Sequence, residues 1–185
     1  MATTTAVPLE LGRAAPDFTL PGTDGRHWAR DQVRGPNGLV VMFICNHCPY
    51  VQAIVDRIVR EARALHEIGI GSVAISSNDA IAYPADSFDN MRRFAERHGF
   101  DFPYLYDESQ AVARAYGAVC TPEFFGFDRD LKLGYHGRLD ASGREPAAPD
   151  SRRELFQAMD TLVRTGQAPA GQVPSIGCSI KWKAG

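Results

Sequence analysis

The sequence predicts an α/β domain in which helices flank a central sheet, and two observations lead to this prediction. First, short apolar runs typical of buried strands alternate with segments whose apolar residues recur at helical spacing. Second, two cysteines three positions apart, Cys45 and Cys48, follow the apolar run 39–44 and precede a helical pattern. With 185 residues, of which 44% are hydrophobic, the chain is long enough for one domain with a substantial core.

The N-terminal half contains a predicted hairpin followed by a βαβ unit. Residues 21–25, Pro-Gly-Thr-Asp-Gly, separate two short apolar pieces and are typical of a turn between strands. Strand 39–44 then leads into a helix predicted over about 49–67, where apolar residues recur every three or four positions. A second apolar run, 70–76, predicts the strand that completes the unit.

The C-terminal half continues the alternation. A helix is predicted from about residue 86 to about 99, and a short one over 109–116 is followed by a glycine. Runs 123–127 and 131–135 flank a polar turn and predict a second hairpin. A helix over about 151–164, with its apolar residues on one face, completes the domain.

These elements account for residues 1–166, which we expect to form the domain. Residues 167–185 are rich in Pro and Gly and indicate a loose C-terminal extension. Two interpretations of this tail remain open. In one, Cys178 lies on a mobile segment that docks and resolves a disulfide; in the other, Cys178 is incidental and the tail is anchored by apolar residues, namely Ile176, Ile180 and Trp182.

Composition and charge argue against several functional classes. A net charge of −2 with mixed signs gives no footprint for nucleic acid or an anionic membrane. No apolar run approaches the length that spans a bilayer, and the N-terminus lacks the basic and apolar segments of a signal peptide. We therefore expect a cytoplasmic protein, whose four cysteines are better explained as reactive thiols than as a disulfide framework.

The cysteine pair predicts a redox site. Cys45 is expected at the start of the first helical turn, where unpaired N–H groups and the helix dipole stabilise a thiolate. Cys48 is near enough in sequence to close a reversible disulfide with it. A structural zinc site is the alternative, but it needs four ligands, and Cys120 and Cys178 are isolated.

His47 lies between the two cysteines and is the candidate for tuning them. An imidazolium near a Cys45 thiolate favours the reduced form and makes the pair more oxidising. The alternative is a solvated loop residue without a role. For a proton-carrying carboxylate, the sequence offers only Asp17 and Glu123 as candidates.

The order of elements and the position of the dithiol resemble the thioredoxin fold over roughly residues 10–165. The second landmark of that fold is a Thr-cis-Pro loop facing the dithiol, and Thr121-Pro122 stands in the matching place. The resemblance implies a cis Pro122 and a Thr121 backbone that offers an edge to a substrate strand; the alternative is a proline that simply begins a strand. Cys120 is expected on the same loop, either as a relay or resolving thiol or as a small buried residue.

The longer segment between strand 70–76 and the second hairpin resembles the peroxiredoxin branch. The motifs at residues 45–51, 120–125 and 174–182 together resemble the uncharacterised peroxiredoxin-like group related to the alkyl hydroperoxide reductase/thiol-specific antioxidant family. The resemblance implies a thioredoxin-like fold with a peroxiredoxin-type N-terminal hairpin and insertion. It also implies a central mixed sheet flanked by helices.

Two alignments of the dithiol lead to different mechanisms. In peroxiredoxins, the peroxidatic cysteine precedes Pro and has Thr or Ser three positions earlier and Pro seven positions earlier. Aligning Cys48-Pro49 in this way puts Cys45 in the place of the Thr and Val41 in the place of the Pro. In a thioredoxin-like alignment, Cys45 is the exposed attacking thiolate and Cys48 resolves the mixed disulfide. We favour the second alignment.

The sequence therefore predicts a thiol-disulfide oxidoreductase that works through a mixed disulfide, with site residues Cys45, Cys48, His47, Thr121, Pro122 and Cys120. The alternatives are a thiol peroxidase that reduces hydroperoxides through a sulfenic acid, and a non-enzymatic redox-sensing or metal-binding module. The expected substrate is a protein or small-molecule disulfide, or a hydroperoxide, and the expected reductant is the thioredoxin or glutathione system. No cofactor, metal, nucleic acid or membrane partner is expected.

Overall fold

The computed structural model describes residues 2–184. The strands are β1 (Thr3–Thr5), β2 (Thr19–Pro21), β3 (His27–Ala29), β4 (Gly38–Phe43), β5 (Ile70–Ser76), β6 (Tyr104–Tyr106), β7 (Cys120–Thr121), β8 (Glu123–Phe127), β9 (Leu133–Gly137) and β10 (Ile176–Ser179). The helices are α1 (Arg30–Val33), α2 (Pro49–Gln52), α3 (Val55–Glu67), α4 (Phe88–His98), α5 (Ala111–Tyr116) and α6 (Glu154–Thr165).

The central sheet has the strand order β6-β5-β4-β8-β9. Strands β4, β5 and β6 are parallel, whereas β8 and β9 are antiparallel to their neighbours. Every residue of β4 is buried because side chains of α3, α4 and α6 cover one face of the sheet and those of α1 and α5 cover the other. The predicted mixed sheet flanked by helices is confirmed.

The register of this sheet positions the site. Phe43, the last residue of β4, lies opposite Glu123, the first residue of β8. The residues that follow β4 therefore lie beside those that precede β8. As a result, the dithiol and the Thr121-Pro122 loop meet at one end of the sheet.

The helix predicted over about 49–67 is interrupted. Helix α2 ends at Gln52, and α3 begins at Val55, because Ile54 leaves the helical conformation (φ −122°, ψ 0°) and its N–H donates to Val51 at 3.0 Å. The apolar spacing continues across the break, so all these apolar residues still face the core. For this reason the hydrophobic pattern alone predicts one continuous helix.

The C-terminal tail is not loose, which corrects the expectation from its composition. Strand β10 is the middle strand of a second, antiparallel sheet, β1-β10-β7. Ile180 is buried in the core with Trp182 packed against it, so these two residues anchor the tail; Ile176 is half exposed and does not. Within residues 2–184, no helix is both long enough and apolar enough to cross a bilayer.

Candidate active site

The dithiol loop follows β4 directly, and its second cysteine is the residue at the helix start. Helix α2 begins at Pro49, and Cys48 is its N-cap residue. Proline suits this first position because its missing N–H would have no partner inside the helix. The prediction that Cys45 occupies the first helical turn is therefore wrong; Cys45 lies in the loop between β4 and α2.

The sulfur of Cys48 is the centre of a hydrogen-bond cluster. It lies 3.2 Å from the carbonyl oxygen of Thr121, to which its thiol donates, and 2.9 Å from the Sγ of Cys178. The pKa of Cys48 is lowered to about 5, mainly by a hydrogen bond from the Cys45 thiol. Burial acts in the opposite direction and raises this pKa. Hydrogen bonds from the thiol and N–H of Cys178 and from the N–H of Val51 lower it further. Cys48 is therefore the cysteine that ionises first.

Cys45 has the opposite character. Its side chain is only 1% exposed. Its pKa is raised well above that of a free thiol, mainly because its proton is used in the hydrogen bond to Cys48. Burial and the negative charge of Asp86 raise this pKa further. The hydrogen bond with Thr121 Oγ1, at 3.3 Å, lowers it. Cys45 is therefore neither exposed nor the cysteine that ionises first, which corrects these two parts of the expectation.

A buried carboxylate, Asp86, holds the two residues between the cysteines. Its Oδ1 accepts hydrogen bonds from the N–H groups of Asn46 at 2.8 Å and His47 at 3.3 Å. Its Oδ2 accepts from the side-chain amide of Asn78 at 2.7 Å and lies 2.5 Å from Nδ1 of His47, whose ring stacks on Tyr83. The pairing with Asp86 corrects the interpretation of His47 as a freely solvated residue.

Sequence reasoning missed Asp86, which was placed only at the start of a predicted helix. It belongs instead to a short 3₁₀ turn, Pro84–Asp86, that precedes α4, whose N-cap is Ser87. The sequence carries little signal for its role, since Asp before Ser at a helix start is typical of an exposed cap. Its partners Asn46 and His47 are about forty positions away.

Three ligand atoms at the site are close enough together to hold a metal ion. The Sγ of Cys45, a ring nitrogen of His47 and a carboxylate oxygen of Asp86 all lie within 4.8 Å of one another. This donor set suits zinc, which also needs a fourth ligand in a structural site. The Asp86 oxygens already accept three hydrogen bonds, whereas Nδ1 of His47, 2.5 Å from Oδ2, has no hydrogen-bond partner among residues 2–184.

The Thr121–Pro122 peptide bond is cis, as the resemblance implied. Thr121 contacts both cysteines, Cys45 through its hydroxyl and Cys48 through its carbonyl. The expected substrate edge at Thr121 is present but already paired, because Cys178 of β10 lies directly opposite Thr121. A side chain at Gly177 would collide with the Thr121 carbonyl, so β10 lies in close backbone contact with this loop.

Cys120 lies on the same loop, and its thiol has partners other than the dithiol. Its thiol contacts the Glu123 carboxylate at 3.6 Å and the Pro122 carbonyl at 3.9 Å. Burial, followed by the Glu123 charge, raises its pKa. In the part of the chain that the structure describes, Cys120 makes no sulfur–sulfur contact, which favours its interpretation as a small buried residue.

Glu123 binds the backbone of the loop that precedes the cis-proline. Its Oε2 accepts the N–H groups of Val119 at 2.8 Å and Cys120 at 3.1 Å, and its Oε1 lies 2.7 Å from Nε2 of His136. Because its oxygens are used in this way, Glu123 positions the loop. The other candidate carboxylate, Asp17, has a side chain that is 78% exposed and lies 3.9 Å from Arg30.

Residues 11–136 match the model of the AhpC/TSA family. The chain belongs to that family. It is 26% identical to thiol-disulfide oxidoreductase ResA of Geobacillus thermodenitrificans over 130 residues, which are 66% of each chain. It is also 26% identical to peroxiredoxin Bcp of Escherichia coli over 137 residues, which cover 74% of this chain and 83% of Bcp. An uncharacterized conserved protein from Geobacillus kaustophilus has a similar solved structure, with a TM-score of 0.94 and 45% identity, covering 100% of this chain and 98% of the other.

Membership of the AhpC/TSA family confirms the predicted thioredoxin-like fold, which solved thioredoxin domains also share. The two named relatives carry different activities in their names, one a thiol-disulfide oxidoreductase and the other a peroxiredoxin. Both are compatible with the dithiol described above. The likeness to the Geobacillus kaustophilus structure extends over the whole chain, including the tail.

An apolar cavity of about 340 Å³ adjoins the cis-proline. Tyr50, Phe124 and Pro122 all line it. On the opposite side it is lined by residues 173–176, which lead into β10. The cavity therefore lies between the cis-proline loop and the tail.

Proposed function

We propose that this AhpC/TSA-family protein is a thiol-disulfide oxidoreductase whose catalytic dithiol is Cys45 and Cys48. The observation that carries the proposal is that Thr121, directly before the cis-proline, contacts both thiols, Cys45 at 3.3 Å and Cys48 at 3.2 Å. Interaction with the Cys45 thiol also lowers the pKa of Cys48 to about 5. Thiol-disulfide exchange needs one thiolate to attack and a second thiol to resolve. In the sequence hypothesis Cys45 attacks; the contacts support the reverse assignment, with Cys48 attacking and Cys45 resolving.

The first half of the reaction forms a mixed disulfide. The Cys48 thiolate attacks one sulfur of the substrate disulfide, the substrate S–S bond breaks, and the departing sulfur leaves as a thiolate. In the second half, the Cys45 thiol gives its proton to that leaving thiolate and attacks the Cys48 sulfur. The Cys45–Cys48 disulfide forms, the second substrate thiol is released, and two electrons have passed from the enzyme to the substrate.

The residues around the dithiol separate the attacking role of Cys48 from the resolving role of Cys45. The Asp86 charge and burial keep the proton on Cys45 until Cys48 has reacted, because both raise the pKa of Cys45. Asp86 also fixes the backbone of Asn46 and His47, and so the distance between the two sulfurs. Since the thiolate of Cys48 is stabilised, the reduced form is favoured, so the dithiol reduces only a substrate disulfide of higher potential, and the same steps run in reverse with a more reducing substrate dithiol.

A thiol peroxidase is the second candidate, and one specific observation favours it. Cys48 precedes Pro49 at a helix start, and Cys45 donates to Cys48 from the position where the peroxiredoxin pattern has Thr or Ser. In this reaction the Cys48 thiolate attacks the O–O bond of a hydroperoxide, releases water or an alcohol, and becomes a sulfenic acid. Cys45 then attacks the sulfenic sulfur, and a disulfide and water are formed.

The reductant and the location are part of the same proposal. We expect a reducing compartment such as the cytoplasm, because the sequence places its four cysteines in a way typical of reactive thiols and not of a disulfide framework. The oxidised dithiol would be returned to its reduced form by a protein dithiol of the thioredoxin type or by glutathione. Neither partner would leave a permanent covalent group on the chain.

The test compares two oxidants on the fully reduced protein. Hydrogen peroxide and oxidised glutathione are reacted with it separately, and the second-order rate constants and the linkages are measured by quenched mass spectrometry. A faster reaction with the disulfide and a Cys45–Cys48 product support the oxidoreductase, whereas a sulfenic acid at Cys48 and a faster peroxide reaction support the peroxidase. Cys48→Ser should abolish both reactions; if it does not, the assignment of Cys48 is wrong.

A further inference from the structure

The C-terminal strand β10 lies on the edge of the loop that precedes the cis-proline. Cys178 is opposite Thr121 and Ser179 is opposite Cys120, and the N–H of Ile180 donates to the carbonyl of Val119 at 3.0 Å. Addition of a strand to an exposed edge is a general mode of peptide recognition. Strand β10 therefore occupies the edge that an incoming substrate strand would need.

The side chain that β10 directs at the dithiol is a third thiol. The Sγ atoms of Cys178 and Cys48 lie 2.9 Å apart, and both side chains are buried. Because a disulfide bond brings its sulfurs to about 2.05 Å, the two atoms need to approach by less than about 1 Å. Cys45 and Cys178 are thus alternative partners of a single sulfur, that of Cys48.

We propose that Cys178 is a third redox-active cysteine, which forms a disulfide with Cys48 and makes β10 an intramolecular substrate of the site. The inference rests on the proposed function only in taking Cys48 as the cysteine that reacts first. It adds a catalytic residue from outside the dithiol motif. It also assigns the tail a role in closing the substrate edge.

Burial favours an internal partner for Cys48. Its side chain is fully buried, so a large external thiol or disulfide reaches its sulfur only after β10 has moved. Cys178 is already in contact with that sulfur. Its own pKa is raised to about 11, mainly by burial and by its hydrogen bond to Cys48, so it stays protonated while Cys48 is ionised.

The chemistry balances with either class of oxidant. A hydroperoxide converts the Cys48 thiolate to a sulfenic acid with release of water or alcohol, and Cys178 then attacks the Cys48 sulfur, forming a disulfide and water. With a disulfide oxidant, Cys178 instead releases the second substrate thiol from the mixed disulfide. Cys45 can subsequently attack Cys48 and return Cys178 to the thiol state, an exchange that moves no net electrons.

The tail is docked through the residues that also hold the dithiol loop. Asn78 accepts the N–H of Lys181 at 2.9 Å through its side-chain oxygen, while its side-chain nitrogen donates to Asp86 at 2.7 Å. One side chain therefore contacts both the tail and the carboxylate that positions His47. Residues 167–175, which lead from α6 to β10, contain neither helix nor strand, so a movement of β10 has to break chiefly its own pairings with β1 and β7.

The experiment uses the full chain with Cys45→Ser, in which the Cys45–Cys48 disulfide cannot form. The reduced variant is treated with one equivalent of hydrogen peroxide or with an excess of oxidised glutathione, and its linkages are mapped under non-reducing conditions. We expect most of the oxidised monomer to contain Cys48–Cys178. Adding Cys120→Ser, the matched control for a buried cysteine without a sulfur contact, should leave the yield unchanged, whereas adding Cys178→Ser should leave Cys48 trapped as a sulfenic acid or mixed disulfide.

Two outcomes separate this inference from the proposed function. If the wild type forms Cys45–Cys48 readily but the Cys45→Ser variant accumulates sulfenic Cys48 without a Cys178 linkage, the role of Cys178 is refuted and the dithiol stands. If the wild type forms no linkage at Cys48 with either oxidant, both are refuted. Cys45→Ala, with circular dichroism to check folding, repeats the measurement for a variant without a hydroxyl group.

Discussion

The hydrogen bond from Cys45 to Cys48 gives a direct test of how the site makes its thiolate. Cys45→Ala removes the donor that is the main cause of the low pKa of Cys48. A hydrogen bond to a charged group contributes about 1.5–3 kcal/mol, and a change of one pH unit in a pKa corresponds to about 1.4 kcal/mol. We therefore expect Cys45→Ala to raise the pKa of Cys48 by about 1 to 2 pH units. Cys45→Ser keeps a donor and should shift the pKa less.

The assay is titration of the thiolate by its ultraviolet absorbance in the reduced protein. Cys45, Cys120 and Cys178 all have raised pKa values, so Cys48 is the cysteine that titrates on the acid side of neutrality. Cys48→Ser should remove that transition. If Cys45→Ala titrates at the same pH as the wild type, or if the wild-type transition occurs only near the pKa of a free thiol, the hydrogen-bond argument is wrong.

The same pKa has a consequence for stability. The pKa of Cys48 is lower in the folded protein than in the unfolded chain, so the thiolate stabilises the fold in full above the unfolded pKa of about 8.5. This contribution is lost as the pH falls through the folded pKa of about 5. Urea denaturation of the reduced protein should therefore show a loss of stability on acidification over this range that is smaller in Cys48→Ser; an equal loss in both would contradict it.

Two further predictions test the network and the tail. Asp86→Ala leaves three donors without their hydrogen-bond acceptor, and each such loss costs about 1–3 kcal/mol. We expect the free energy of unfolding, measured in urea, to fall by about 3 kcal/mol or more. The control Asp89→Ala, on the exposed face of α4, should change it by less than about 0.5 kcal/mol. Equal effects would show that Asp86 does not hold the loop. Gly177→Val collides with the Thr121 carbonyl and should displace β10, so iodoacetamide should alkylate Cys48 about tenfold faster or more, a change equivalent to about 1.4 kcal/mol. Ile176→Val, at a half-exposed position, is the control, and an unchanged rate in Gly177→Val would mean that β10 does not close the site.

The elements of the fold could be predicted because each has a local signal. Strand β5 coincides with the predicted run 70–76, and α4, capped by Ser87 and ended by the left-handed Gly99, lies within the predicted range of about 86–99. The tail could not be predicted in this way. Its composition indicates a loose segment, but its structure depends on pairing with β1 and β7, which lie far away in the sequence and are too short to be recognised alone.

The identity of the thiolate illustrates the same limit at the level of one atom. A spacing of three positions predicts that two thiols lie at a strand–helix junction, but which one ionises depends on which sulfur accepts more hydrogen bonds. As a thiolate, Cys48 accepts them from Cys45 and also from Cys178, which is 130 positions away. Because the tail both stabilises this thiolate and covers it, a ligand that displaces β10 would remove part of that stabilisation as it gains access. Substrate entry and the reactivity of Cys48 are therefore coupled through a strand that lies outside the dithiol motif.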